Sequence, residues 1–295
     1  MERHQITGHT ELIGLLAYPI RHSQSPATHN AAYEKLGVDI VNLAFEVDAP
    51  ELEDAIKGLR ALKLRGANVS MPNKTIVHQY LDEVSPAAKL CGAVNTIVNK
   101  DGYLVGHITD GIGYVQSLKD NGIDPTGKKV TIVGSGGAAT AVEIQAALDG
   151  VAEMSIFARD DKFKANALET VKKINENTNC KATFYPLEDL DKLKEEMHSS
   201  YLFTNATGVG MKPLEGMTYI PDPSFFRPDL IVTDVVYAPH ETAMLKMARH
   251  AGCKTMNGQG MMLFQAIAAI ELILGQRVDS EYMKEKLGIS YVYED

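Results

Sequence analysis

The sequence has few cysteines, no excess of positive charge and no long apolar run, and each absence excludes a class of protein. Its three cysteines, Cys91, Cys180 and Cys253, are scattered and lack the spacing of metal ligands. Such a set is typical of a reducing, cytoplasmic compartment and predicts no bound metal. The net charge of −9 at pH 7 disfavours a general nucleic-acid or anionic-membrane binder, and we expect neither as a partner.

Membrane and export segments are also missing from the pattern. The polar N-terminus has no apolar core of the signal-peptide type. The longest apolar run, residues 261–274, is interrupted by Gln265 and Glu271 and is too short to span a bilayer. We therefore expect a cytoplasmic protein, and its length of 295 residues predicts two domains.

A short apolar strand, a glycine-rich turn and a helix follow one another at residues 130–149. In the turn, Gly134 permits a tight bend, Gly136 lets backbone amides approach a pyrophosphate, and the small Ala139 lets the helix pack on the strand. An ordinary turn with small residues is the alternative, which the complete strand–turn–helix context disfavours. The turn predicts a bound dinucleotide but no particular reaction.

The end of the next strand bears on which dinucleotide is bound. Arg159, Asp160 and Asp161 stand there, about 20 residues beyond the glycine turn, where an acid binds the ribose of NAD and an arginine suits the 2′-phosphate of NADP. The two acids favour NAD, whereas Arg159 leaves NADP open. A charged turn that faces solvent is the third interpretation.

Strands and helices alternate on both sides of a Gly- and Pro-containing linker at residues 121–127. The pattern predicts an α/β protein with a Rossmann-like, doubly wound dinucleotide-binding domain at residues 122–258. We predict an N-terminal α/β domain, residues 1–121 plus 259–295, that binds substrate and performs catalysis, with the C-terminal helices returning to it. A cleft between two such domains would bring a cofactor and a small-molecule substrate together.

Two local predictions concern the first half of the chain. Ser25 is expected to cap a helix that begins at Pro26 and ends at Gly37. Residues 71–74 are expected to open a further helix.

Taken singly, the remaining polar residues are weak signals. Lys74 and Asp110 would each more often be a solvated surface charge, and Ser25 and Asn95 would serve only their own turns. Gln265 lies within an apolar helix, where a buried amide needs either a structural hydrogen bond or a ligand.

Seven motifs nonetheless resemble, in order and over nearly the whole chain, the shikimate dehydrogenase family, and particularly its quinate/shikimate dehydrogenase branch. They are S-Q-S-P at 23–26, G-A-N-V-S-M-P-N-K at 66–74, G-A-V-N-T at 92–96, T-D-G-x-G at 109–113, G-S-G-G-A at 134–138, N-A-T-G-V-G-M at 205–211 and G-Q-G-M-M-L-F-Q at 258–265.

The resemblance implies an oxidoreductase that transfers a hydride between NAD, or NADP, and the C-3 hydroxyl of shikimate or quinate. It assigns Lys74 and Asp110 as the catalytic pair. The substrate-binding residues it implies are Ser23, Ser25, Ser70, Asn95, Gln265 and Tyr237. The cofactor-binding residues it implies are Gly134, Ser135, Gly136, Gly137 and Ala138 at the pyrophosphate, Arg159, Asp160 and Asp161 at the adenosine, and Thr207, Gly208, Val235, Tyr237 and Gly258 at the nicotinamide.

The chain departs from the family pattern at two positions. Ile108 stands where the family usually has Asn, and Ser70 stands where it usually has Thr. Neither change removes a catalytic group, but Ile108 leaves open how the turn before Asp110 is braced.

The role of Lys74 has two forms. In a desolvated site it would act as a base, whereas a dominant Asp110 would keep it cationic, as a group that stabilises the developing alkoxide. The rivals to this assignment are a strictly NADP-dependent biosynthetic shikimate dehydrogenase and a non-catalytic dinucleotide-binding sensor on the same fold. A homodimer is compatible with the sequence, which does not rank quinate against shikimate.

Overall fold

The chain divides into two compact α/β units in a computed structural model that describes residues 6–161 and 163–293. The first unit extends to Thr109 and includes Gln265–Ile289, and the second comprises Asp110–Phe264 and continues from Ser290. The functional boundaries expected at residues 121/122 and 258/259 stay a prediction.

The first unit is built on a six-stranded mixed sheet. The strands follow the order β2-β1-β3-β5-β6-β4, with bounds β1 Glu11–Ala17, β2 Ile40–Glu46, β3 Gly66–Val69, β4 Glu83–Val84, β5 Thr96–Lys100 and β6 Tyr103–His107. Strand β1 pairs in parallel with β2 and β3, and β5 pairs antiparallel with β3 and β6. Residues 13–17 of β1 are all buried, as expected for a central strand covered on both faces.

Two sequence predictions about the helices of this unit are wrong. The helices are α1 Ser25–Leu36, α2 Leu52–Ala61, α3 Pro86–Cys91, α10 Ser280–Leu287 and the end of α9, Gln259–Leu274. The N-cap of α1 is Gln24 rather than Ser25, because the Ser25 amide donates to Ser23 Oγ at 3.2 Å in a local serine turn. The end at Gly37 is confirmed by its left-handed φ of 67°.

The helix expected after Pro72 is also wrong in type. Two 3-10 helices form there instead, at Asn73–Thr75 and Val77–Tyr80. Three consecutive β-branched residues, Thr75, Ile76 and Val77, disfavour an α-helix at this position because their χ1 rotamers are restricted.

The second unit has a seven-stranded sheet in the order β13-β12-β11-β10-β7-β8-β9. Its bounds are β7 Lys129–Val133, β8 Glu153–Ala158, β9 Lys181–Pro186, β10 Leu202–Asn205, β11 Ile231–Asp234, β12 Lys254–Met256 and β13 Val292–Tyr293. All pairs are parallel except β12 with β13. Counted from β7, the parallel strands have the Rossmann order 3-2-1-4-5-6, which confirms the predicted fold class.

Helices α4 Asp110–Asp120, α5 Gly137–Leu148, α6 Lys164–Asn177, α7 Leu190–Ser199 and α8 Ala243–His250 accompany this sheet. Helix α4 belongs to the unit for a specific reason: the Tyr114 hydroxyl is 2.6 Å from Thr204 Oγ1 and 2.9 Å from Thr233 Oγ1, on β10 and β11. Within the described ranges, no helix has the length and apolar character needed to cross a bilayer.

Candidate functional site

The bend after β7 can be made only by glycine. Gly134 has φ +145°, and a Cβ there would lie 2.7 Å from the Ala206 carbonyl oxygen and 2.9 Å from Ala139 Cβ. Both the backbone conformation and the close approach exclude a side chain. The small residue at 139 is thus the packing partner of the bend, as the motif predicts.

The start of α5 leaves its backbone exposed to a ligand. Gly136 is the N-cap, and a Cβ at Gly136 or Gly137 would meet nothing within 4 Å. The first-turn amides of a helix have no partner within it and attract anions. Asn166 fixes the loop by donating from Nδ2 to the Ser135 carbonyl oxygen and, at 3.2 Å, to Thr140 Oγ1. The residues present therefore fit a pyrophosphate held by main-chain groups.

A cavity of about 550 Å³ opens over this turn within the second unit. It contains most of the residues predicted to bind a cofactor, namely Gly134, Ser135, Gly136, Gly137, Ala138, Arg159, Thr207, Gly208 and Val235. Asp160, Asp161, Tyr237 and Gly258 are not among its lining. The sequence reasoning missed its apolar walls, which are formed by Val133, Phe157, Ala158, Phe163, Leu187, Ala206, Val209, Met211, Leu214 and Tyr219.

The missed residues differ in how visible they were. Met211 ends the N-A-T-G-V-G-M motif and Phe157 precedes Arg159 by two positions, so the neighbouring motif could have indicated both. Leu187 and Phe163 stand in ordinary connecting segments, where an apolar residue carries no signal that distinguishes a pocket from the core.

Charged side chains meet beyond β8. Arg159 Nε lies 3.4 Å from Asp161 Oδ2, and Lys164 Nζ lies 2.9 Å from Asp160 Oδ1. The Asp160 amide also donates to the Glu188 carboxylate at 3.3 Å. Arg159 is thus already engaged with an acid, in a turn that carries further carboxylates.

Gly258 shows a second close approach of backbone to backbone. A Cβ on it would lie only 2.0 Å from the Val235 carbonyl oxygen. Tyr237 is 52% exposed, in the loop that follows β11. Gly258 therefore serves the packing of the loop at 235–236, and Tyr237 lies on the surface of the unit.

In the first unit, backbone hydrogen bonds join three of the predicted substrate and catalytic segments. The Val94 amide donates to the Lys74 carbonyl at 2.8 Å, and the Val69 amide donates to the Asn95 carbonyl at 2.8 Å. Ser70 follows Val69 directly, and its carbonyl accepts the Asn73 amide at 2.9 Å. Ser70, Lys74 and Asn95 are thus carried on one hydrogen-bonded frame.

Asn95 also answers the question raised by Ile108. The Asn95 amide group donates to Thr109 Oγ1 at 2.9 Å, and its Oδ1 accepts the Thr109 backbone N–H at 3.0 Å. Asn95 is 4% and Ile108 4% exposed. The residue directly before Asp110 is therefore held by a buried amide, and Ile108 contributes apolar packing.

The remaining predicted residues are spread over both units. Lys74 is half-buried in the 3-10 turn of the first unit, whereas Asp110 begins α4 of the second. Ser23 and Ser25 adjoin the start of α1, and Gln265 is half-buried in α9. Within the part of the chain that the structure describes, no three His, Cys, Asp or Glu side chains could together hold a metal ion.

A Rossmann sheet with a glycine-only turn and a main-chain anion cradle defines the class of dinucleotide-binding proteins. A family model, the shikimate dehydrogenase substrate binding domain, matches residues 15–97. Shikimate dehydrogenase (NADP(+)) from Listeria innocua is 59% identical over 283 residues, which cover 96% of this chain and 97% of the relative. The chain belongs to the shikimate dehydrogenase family, so the family resemblance found in the seven motifs is confirmed.

Two solved structures show the same similarity across both units. Shikimate 5-dehydrogenase from Listeria monocytogenes, crystallised with shikimate and NAD, matches with a TM-score of 0.94 and 59% identity, over 97% of this chain and 99% of that one. Quinate dehydrogenase from Corynebacterium glutamicum, in complex with NAD, matches with a TM-score of 0.84 and 29% identity, over 95% and 99%.

Proposed function

We propose that this protein is a dehydrogenase that transfers a hydride between NAD(P) and the C-3 hydroxyl of shikimate or quinate, giving the 3-dehydro acid. The observation that carries the proposal is that this member of the shikimate dehydrogenase family has two features together. One is a glycine turn whose main chain fits a pyrophosphate, and the other is a hydrogen-bonded frame that holds Ser70, Lys74 and Asn95. The bound nicotinamide would supply the hydride chemistry.

The protein's own part is to orient the alcohol and manage one proton. We assign Lys74 to the C-3 oxygen, where it takes the proton during oxidation or stabilises the alkoxide, and Asp110 as its partner. Ser23, Ser25, Ser70, Asn95 and Gln265 would bind the ring hydroxyls and the carboxylate. Tyr237 and the loops at 207–208, 235 and 258 would serve the nicotinamide end.

We further propose that NAD is preferred over NADP. The support is electrostatic, because Asp160, Asp161 and Glu188 stand at the turn expected to meet the adenosine ribose, and Asp161 pairs with Arg159 at 3.4 Å. A 2′-phosphate would be repelled by these carboxylates. A strictly NADP-dependent enzyme is the alternative, in keeping with the name of the Listeria innocua relative.

We place the protein in a reducing cytoplasm, since Cys91, Cys180 and Cys253 form no disulfide. A homodimer stays a prediction.

The experiment that tests the function is a matrix of two acids, shikimate and quinate, against two cofactors, NAD and NADP, measured as kcat/KM. We expect turnover of at least one acid, and a higher value with NAD. A higher value with NADP would overturn the cofactor preference. Binding of NAD without turnover of either acid would overturn the proposed enzymatic activity and would support a non-catalytic dinucleotide-binding sensor.

A further inference from the structure

A buried carboxylate, Asp234, ends strand β11 and has no part in the function proposed above. Asp234 is only 2% exposed. Oδ1 accepts the Asn205 amide group and the Val236 backbone N–H, each at 2.9 Å, and Oδ2 accepts the Thr242 hydroxyl at 2.8 Å. Asp234 is therefore satisfied by donors from three different segments.

Asn205, at the end of β10, links Asp234 to the loop that follows this strand. Its Oδ1 accepts the Thr207 backbone N–H at 3.1 Å, the Thr207 hydroxyl at 2.7 Å and the Tyr219 hydroxyl at 3.2 Å. Its Nδ2 donates to the Val209 carbonyl at 3.1 Å as well as to Asp234. One amide thus fixes the loop from Thr207 to Val209.

The carboxylate decides which way this amide faces. An asparagine side chain can present either its oxygen or its nitrogen, but an ionised carboxylate only accepts. Asp234 therefore requires Nδ2 of Asn205 on its own side, which leaves Oδ1 for Thr207 and Tyr219. Without Asp234 the amide loses the partner that holds it in this orientation.

Both loops held in this way line the cavity. Thr207, Val209 and Tyr219, which are hydrogen-bonded to Asn205, line the cavity, and so does Val235, the neighbour of Val236. The Val235 amide also donates to the Asn205 carbonyl at 3.0 Å. Hence Asp234 fixes wall residues without touching the cavity itself.

Burial disfavours the ionised form of the Asp234 carboxyl group. Burial raises the pKa of Asp234 to about 6, even with three donors around it. Asp234 is therefore a buried acid with a perturbed pKa, next to the cavity-lining residue Val235, and such acids are frequent at functional sites.

We propose that Asp234 is a positioning residue for the nicotinamide end of the pocket, which it sets by orienting Asn205 and, through it, Thr207. The inference rests on the proposed function only in the name of the ligand.

The test compares Asp234→Ala with the wild-type protein in steady-state kinetics and in direct NAD binding. In metal sites, loss of a residue that orients a ligating side chain typically costs about 10–100-fold in affinity, and we take the lower end of that range for NAD. We expect an increase of about tenfold or more in the KM and Kd for NAD, with the KM for shikimate within about twofold of wild type.

Glu196→Ala is the matched control. Glu196 is a buried carboxylate of the same unit, 4% exposed, with Ser155, Lys129 and Lys192 as partners at 2.5, 2.7 and 2.9 Å, and it lies outside the lining of the cavity. It should lower the melting temperature without changing the KM for NAD.

Asp234→Asn is the rescue variant. Its Oδ1 can still accept from Asn205 and Val236, and its amide can donate to the Thr242 hydroxyl, so NAD binding should return to within about threefold of wild type. If Asp234→Ala does not fold, Asn205→Ala removes the same relay and should show the same cofactor-specific defect.

Three results would overturn the inference: unchanged NAD binding in the alanine variants, an equal increase in both KM values, or the same defect in Glu196→Ala. A wild-type protein that binds NAD but turns over neither acid would contradict the proposed function alone, because the Kd comparison would still test Asp234.

Discussion

Glu143 is fully buried in α5, and neither carboxylate oxygen has a hydrogen-bond partner among the described residues. Burial raises the pKa of this carboxyl from an ordinary value of 4.5 to about 8. The folded chain therefore keeps a proton that the unfolded chain releases above pH 4.5. Stability from this group is present at low pH and is lost as pH rises towards 8.

We expect Glu143→Gln to be more stable than wild type by a margin that grows between pH 5 and pH 8 and then levels off. The margin should grow by up to about 1.4 kcal/mol per pH unit, because the neutral amide has no proton to lose. Urea unfolding across this range measures it. Glu176→Gln, at an exposed position of the neighbouring helix α6, should show no such trend, and a constant margin for Glu143→Gln would refute the explanation.

A substitution in the Arg159–Asp161 pair tests the proposed preference for NAD over NADP. Asp161→Asn keeps the shape of the side chain but releases Arg159 from its partner at 3.4 Å. We expect the ratio of kcat/KM for NADP to that for NAD to increase by about three- to tenfold, a modest change because Arg159 is largely exposed. The double variant Asp161→Asn, Arg159→Ala should lose the increase. An unchanged ratio would exclude a role for this pair.

At the scale of elements, sequence patterns predicted most strands because each is a short apolar run between turn residues. The patterns predict strands at residues 103–107, 202–205 and 254–256, which are the observed bounds of β6, β10 and β12. Strand β5, predicted at residues 93–99, begins three residues later, at Thr96, and the other predicted strands differ by one residue at one or both ends. The short elements β4, α3 and β13 were not predicted. Strand β13 has two residues and depends on pairing with distant β12, a contact that local sequence does not encode.

The residues of the candidate site likewise fall into those that local sequence indicates and those that depend on distant partners. The glycine turn was visible because main-chain geometry restricts the residue type at Gly134. Tyr219 and Asp234 were not, since their roles come from neighbours far along the chain, Asn205 above all. Only the fold brings such partners together.

Two glycines of the turn should respond differently to alanine. Gly134→Ala forces a Cβ against Ala206 and Ala139 at φ +145°, and should cost about 1–3 kcal/mol of stability. Gly136→Ala meets nothing within 4 Å and should leave stability within about 0.5 kcal/mol of wild type. Its methyl group should nonetheless raise the KM for NAD, by intruding where the pyrophosphate approaches.

Thermal unfolding and cofactor kinetics of the two variants check this contrast. Equal stability losses would contradict the structural account of Gly134. An unchanged KM for Gly136→Ala would contradict the anion cradle.

At the scale of the molecule, the proposed catalytic pair is Lys74, in the 3-10 helix Asn73–Thr75, and Asp110, the first residue of α4. If both residues serve one proton, their contributions cannot be independent. Lys74→Met and Asp110→Asn should each lower kcat by about 10²–10⁴-fold, and the double variant should be little slower than the worse single one.

Single- and double-variant kcat values, compared as a thermodynamic cycle, measure this coupling. Lys100→Met, at an exposed position of β5, is the control for loss of a lysine and should be close to wild type. Losses that multiply in the double variant would show that the two residues act separately.

The central claim is hydride transfer from C-3 of the acid to the nicotinamide, and isotope transfer tests it most directly. Shikimate carrying deuterium at C-3 is oxidised with NAD, or with NADP if that is the better cofactor, and the reduced cofactor is analysed by mass spectrometry. The proposed reaction predicts one deuterium in each reduced nicotinamide, and none from shikimate deuterated at C-4. Reduced cofactor without deuterium from the C-3-labelled acid, or with deuterium from the C-4-labelled acid, would contradict it.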